Sequence, residues 1–191
     1  MKSFILASAS PRRSQILSQL KIPFQVIPSA ISENLTDGDK KLFPKRLAES
    51  KALDISEKYP EIPVLGFDTL VFYKEEVLGK PKTKEQAKEM LLKLNGQMHS
   101  VISGVALAYQ GNLFESDDFT TEVYFRNCSL KAITDYIETS EPLDKAGAYA
   151  IQGQGAFLVE KINGCYYNVV GLPLSKTLKI LESFEDTYGN K

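Results

Sequence analysis

The stretch Leu6-Ala7-Ser8-Ala9-Ser10-Pro11-Arg12-Arg13 constrains this chain more than any other. The apolar run Phe4-Ile5-Leu6 before it reads as a strand. Ser14 to Leu20 after it carries apolar residues at helical spacing. Ser10 suits an N-cap, and Pro11 suits the first helical turn, where a missing N–H costs nothing. Free N–H groups and the macrodipole make a helix start attractive to anions. Two arginines in that turn oppose the dipole, which makes sense where an anion sits at the same point. A guanidinium fork grips phosphate oxygens in pairs, so phosphate is the anion these residues suit. They equally suit an ordinary capped surface helix with solvated arginines.

Further along, apolar and β-branched runs alternate with helical patterns, which predicts an α/β chain. Phe24 to Ile27 reads as a strand, Ser29 to Phe43 as a polar loop carrying Glu33, and Pro44 to Tyr59 as a helix burying Leu47, Ala48, Ala52 and Ile55. Val64 to Tyr73 reads as a central strand interrupted by Asp68 and Thr69. Glu75-Glu76 is the expected turn before Val77 to Pro81. Thr83 caps a helix to about Leu94, and Ser129 caps another to about Glu138. Ser100 to Tyr109 and Leu113 to Phe125 form a hairpin through Gln110-Gly111-Asn112. Tyr149 to Ile151 and Ala156 to Lys161 are expected strands. Pro173 to Phe184 is the closing helix, with a frayed tail after Asp186.

The 191 residues suffice for one sizeable domain or two joined lobes. A net charge of −1 provides no global basic field for nucleic acid. No apolar run approaches the ~18 residues that span a bilayer, and the N-terminus lacks the form of a secretory signal. Cys128 and Cys165 are expected as reduced thiols, which suits a cytoplasmic protein. With His99 as the single histidine and no CxxC pair, a His-rich zinc site is excluded.

Asp68 sits within an apolar strand, where a charge is costly unless it is paired or metal-bound. That favours a metal ligand or general base over an idle turn cap. Thr69 faces the opposite side of a regular strand, so both touch one ligand only where the strand ends or bulges. Glu33 on its own is a solvated loop residue. If its loop folds back over Asp68, two carboxylates and phosphate oxygens suit Mg²⁺ or Mn²⁺. Lys51 reads on sequence alone as a surface lysine. Lys80, between Gly79 and Pro81, suits either a phosphate contact or a plain turn. Gln152 follows an apolar triplet, and its amide both donates and accepts, which suits a base edge. The same residues also suit a simple loop-to-strand junction. Gly164 to Pro173, which holds Tyr166, Tyr167, Asn168 and Gly171, suits a tight turn packed against the core or the wall of a ligand pocket. His99 is read as structural.

Taken together, LASASPRR, LAESKA at 47–52, GFDTLV at 66–71, LGKP at 78–81, GQMHSVISGV at 96–105, EPLDKAGAYAIQG at 141–153 and INGCYYNVVGLPL at 162–174 resemble the Maf family of nucleoside triphosphate pyrophosphatases. The resemblance covers nearly the whole chain, 1–191, as a single domain. It implies a mixed α/β fold with a long twisted sheet flanked by helices, two lobes around a cleft, similar to inosine triphosphatases. It also implies hydrolysis between the α and β phosphates of a nucleoside triphosphate, a divalent metal (Mg²⁺ or Mn²⁺) and a homodimer.

On this resemblance Asp68 is the proton acceptor. Arg12, Thr69 and Gln152 bear on substrate choice. Ser8, Arg13, Lys51 and Lys80 line the phosphates, and Glu33 and Asp68 hold the metal. The Asp-Thr pair with a later Ile-Gln-Gly is similar to the branch acting on dTTP and UTP. Other family readings are modified or alternative nucleotides, such as 7-methyl-GTP or CTP, and a nucleotide-sensing regulator of cell division. Phe67 departs from the alanine more frequent in the family.

Overall fold

The computed structural model describes residues 3–32 and 38–189. Glu33 therefore lies outside the described residues. Seven strands among them pair in the order β2-β1-β3-β5-β6-β7, with β4 attached to β3. These are β1 (Phe4–Leu6), β2 (Phe24–Val26), β3 (Val64–Tyr73), β4 (Glu76–Leu78), β5 (Met98–Tyr109), β6 (Asn112–Phe125) and β7 (Val159–Asn163). β1 runs parallel to both β2 and β3, whereas β3–β4 and β6–β7 are antiparallel. The sheet is mixed, and the α/β expectation holds. The chain divides into two compact units, and β3, β5 and β6 each supply residues to both.

The first unit comprises Met1–Thr69, Ser103–Phe119 and Gly171–Lys191. It holds α1 (Pro11–Gln19), α2 (Phe43–Lys58) and α6 (Leu174–Tyr188), together with β1 and β2. As predicted, α2 buries Leu47, Ala48, Ala52 and Ile55. It comes unusually close to the strands. A Cβ on Gly66 would lie 2.1 Å from the Ala48 carbonyl oxygen, and one on Gly104 would lie 2.3 Å from that of Pro44. Only glycine fits at such separations, and Ala48, Ala52, Ala106 and Ala108 complete a layer of small side chains. α6 closes the unit with Phe184, packed edge-on against Tyr109 and Phe114.

The second unit comprises Leu70–Ile102 and Thr120–Val170. It holds α3 (Lys84–Leu94), α4 (Leu130–Glu138) and α5 (Tyr166–Val170). Thr83 and Ser129 cap α3 and α4 as expected, their hydroxyls each accepting from a backbone N–H at 3.2 Å. The core gathers Val71, Leu78, Leu91, Val123, Ile133 and Leu158. No helix among the described residues is long and apolar enough to cross a membrane.

Several local expectations are corrected. The first hairpin turns at Lys74-Glu75, with Lys74 at φ 56°, rather than at Glu75-Glu76. Tyr149 to Ile151 is not a strand. Gly147 and Ala148 turn left-handed before it and Gly153 does so after it, which leaves no room for pairing. Residues 153–158 form 3₁₀ turns, and the strand starts only at Val159. Those turns hang on a remote carboxylate: Gln154 and Gly155 N–H donate to Glu141 at 3.1 and 3.0 Å. Ser10 precedes α1 in an extended conformation, but its hydroxyl caps nothing. Instead its N–H donates to Ser8 Oγ at 3.3 Å. The helix begins earlier than predicted at Phe43 and the last helix runs on to Tyr188.

His99 is structural, as read. It is 1% exposed, and its Nε2 lies 2.7 Å from the Tyr149 hydroxyl. Burial lowers its pKa from 6.5 to about 4. The unfolded chain therefore takes up the proton first on acidification. Stability is predicted to fall as pH drops from 6.5 toward 4, by up to about 3 kcal/mol. Urea midpoints measured across that window check this, and His99→Gln is expected to flatten the pH dependence there.

Candidate functional site

Two clusters in the first unit flank adjacent residues of β3. Asp68 is 7% exposed and Lys51 8%. Lys51 Nζ donates to Asp68 Oδ1 at 2.7 Å. Lys51 stands one turn after Ala48 and next to Ala52, the two positions that pack on Gly66, and Asp68 is two residues beyond Gly66 on the same strand face. The close seat of α2 thus delivers the lysine to the carboxylate. A buried charge demands such a partner, and removing one half of a buried pair costs several kcal/mol.

The second cluster centres on Arg13. Its Nε donates to the Gly171 carbonyl at 2.7 Å, Nη1 to Ser8 Oγ at 2.8 Å and Nη2 to Thr69 Oγ1 at 3.2 Å. The guanidinium lies 5.7 Å from the centroid of the buried Phe67 ring. Thr69 Oγ1 is 2.8 Å from Ser103 Oγ and 3.4 Å from the Gly171 carbonyl. β3 continues through Asp68 and Thr69, so the two side chains turn to different partners, as alternation requires.

The structure therefore joins Ser8, Arg13 and Thr69 in one network, and Lys51 with Asp68 in another. Arg12 is half-buried in the first turn of α1. Lys80 and Gln152 belong to the second unit and are exposed. Gln152 immediately precedes the 3₁₀ turns that Glu141 holds. Sequence reasoning missed Ser103 and the Gly171 carbonyl. Ser103 was detectable as the one hydroxyl within the apolar run Val101 to Ala108, and Gly171, at φ 116°, as a glycine among apolar residues. No group of three His, Cys, Asp or Glu suited to a metal occurs among the described residues. Asp68 supplies one carboxylate, which suits a hard cation that takes its remaining oxygens from water and a substrate's phosphates.

These features define an α/β protein with cationic and hydroxyl groups gathered beside one strand. Residues 3–184 match the family model described as Maf-like protein, and the chain belongs to the Maf family. It is 46% identical over 183 residues to a protein of Halalkalibacterium halodurans named dTTP/UTP pyrophosphatase, covering 95% of this chain and 96% of that one. A protein of the same name from Aquifex aeolicus is 45% identical over 177 residues, covering 93% of each. Among solved structures, a HAM1 protein from Coxiella burnetii is similar at 16% identity and TM-score 0.48, covering 78% of this chain and 86% of that one.

Lys51→Ala is predicted to destabilise the protein by about 3–5 kcal/mol, because it strands a buried carboxylate. The double variant Lys51→Met, Asp68→Leu is expected to recover most of that loss. Chemical denaturation of the three proteins measures both effects.

Proposed function

We propose that this chain is a nucleoside triphosphate pyrophosphatase that hydrolyses dTTP and UTP to the monophosphate and pyrophosphate. The observation that carries this reading is the buried Lys51–Asp68 pair beside the Thr69 network, in a chain whose relatives named for that activity match it almost end to end. Water attacks the α-phosphorus and gives its proton to Asp68. The α–β phosphoanhydride bond breaks, and pyrophosphate carries away the bonding pair. Lys51 orients the Asp68 carboxylate through Oδ1, leaving Oδ2 as the oxygen that takes the proton. Positioning and electrostatics supply most of such catalysis.

Ser8 supports the phosphate reading through its hydrogen-bond inventory. Its hydroxyl oxygen accepts from Arg13 and from the Ser10 N–H, so its remaining capacity is to donate. A phosphate oxygen is the acceptor such a group suits. Arg13, Lys51 and Lys80 offset the charge growing on pyrophosphate, while Arg12, Thr69 and Gln152 set the choice of base. Asp68 and Glu33 would hold a divalent Mg²⁺ or Mn²⁺, which lowers the charge on the phosphates when bound. The chain acts as a single domain, as a homodimer and in the cytoplasm, with nucleotide-pool cleansing as its role. The two cysteines are free thiols, in keeping with that location.

The test is pyrophosphate release with Mg²⁺ or Mn²⁺ over dTTP, UTP, CTP, GTP, ATP and 7-methyl-GTP. Rapid release from dTTP and UTP, lowered at least about a hundredfold by Asp68→Asn, is expected. A preference for CTP or 7-methyl-GTP would overturn the assigned base, and an unimpaired Asp68→Asn enzyme would overturn the role of Asp68.

A further inference from the structure

Gln152 stands outside the sheet, between the left-handed residues Ala148 and Gly153. Side chains of the second unit fix its backbone instead. Two residues before it, the Ala150 N–H donates to the Tyr136 hydroxyl at 3.3 Å. That hydroxyl donates in turn to Glu141 Oε1 at 3.0 Å. Two and three residues after it, the N–H groups of Gln154 and Gly155 donate to Oε2 and Oε1 of the same carboxylate, at 3.1 and 3.0 Å. One carboxylate thus grips the chain on both sides of Gln152, directly on one side and through a phenol on the other.

The donors and acceptors match throughout. Tyr136 is buried on α4, and its ring packs edge-on against Phe157 with centroids 5.9 Å apart. Burial and the Glu141 carboxylate push the phenol above its ordinary pKa, so it keeps its proton and donates. An ionised carboxylate only accepts, and it takes all three donors without conflict. Gly153 completes the fit, since a Cβ there would lie 2.8 Å from Glu141 Oε2. A glutamine side chain is flexible, so the backbone that carries it decides where its amide can reach. We propose that Glu141 is a positioning residue for substrate selection: its carboxylate, directly and through the Tyr136 hydroxyl, fixes the backbone on both sides of Gln152 and so holds the Gln152 amide where it meets the base. The inference rests on the reading of Gln152 as a base contact. Small displacements of a positioned group are costly, which gives a carboxylate that never touches substrate its effect on selection.

The test is kcat/KM for dTTP and GTP with the wild-type enzyme, Glu141→Gln, Gln152→Ala and the double variant. Glutamine keeps the size of Glu141 but sets an amide N–H₂ against a backbone donor, so the grip loses a bond. The dTTP:GTP ratio is expected to fall about tenfold in Glu141→Gln, through KM for dTTP, with kcat for dTTP changed by less than about twofold. In the double variant the ratio should match that of Gln152→Ala, because Glu141 acts through Gln152. A wild-type ratio in Glu141→Gln, or equal losses on both nucleotides with a lowered Tm, would overturn the proposal in favour of plain packing. So would a double variant in which the two losses simply add. Should Glu141→Gln fail to fold, Tyr136→Phe provides the second route. It keeps the ring against Phe157, removes the acceptor of the Ala150 N–H and should lower the ratio in the same direction, and an unaltered ratio would overturn the proposal. A ratio unaltered in Gln152→Ala would instead overturn the reading of Gln152 as a base contact, and the proposal with it, which keeps the two failures apart.

Discussion

The backbone of α2 lies against the strands of the first unit with only glycine and alanine positions at the contact. That approach is possible only because Gly66 and Gly104 stand opposite Ala48 and Pro44. Any larger residue at either glycine would force the backbone to shift, since a Cβ there would lie 2.1 or 2.3 Å from a carbonyl oxygen. The position of Lys51 follows from this seat. A lysine on a helix held at ordinary distance would extend its flexible stem into water. Here it is 8% exposed, with its ammonium on the Asp68 carboxylate. The small-residue layer thus sets both the packing and the electrostatics of the proposed catalytic strand.

Arg13 plays the matching part for the other cluster. It draws together residues far apart in sequence: Ser8 from the loop after β1, Thr69 from β3 and the Gly171 carbonyl before α6. Rigid planar donors suit this better than a lysine, because three acceptors in different directions are met by one group of fixed geometry. The Phe67 ring lies beneath that guanidinium. Its bulk therefore supports the Arg13 hub, which agrees with the alternation of side chains along β3.

Much of this was legible in the sequence. Periodicity gave the strand–helix alternation, caps gave the starts of α3 and α4, and an aspartate inside an apolar strand signalled a partner that the structure supplies as Lys51. Lys51 itself was not legible. Its burial depends on Gly66 and Gly104, and helical spacing alone places a lysine on the surface more often than beneath it. The 3₁₀ turns at 153–158 were hidden for a similar reason, since Glu141 holds them from outside the segment. Tyr149 to Ile151 has strand-like composition, but left-handed residues on both sides isolate it, and the Tyr149 side chain serves the core beside His99. Local pattern fails where a distant group decides the backbone.

The central claim is that Asp68 directs water to the α-phosphorus of a pyrimidine nucleoside triphosphate. Hydrolysis of dTTP in ¹⁸O-labelled water, with the products read by mass spectrometry or ³¹P NMR, tests it most directly. The account predicts the label in thymidine monophosphate and unlabelled pyrophosphate. Label in the pyrophosphate, or release of orthophosphate in its place, would contradict it.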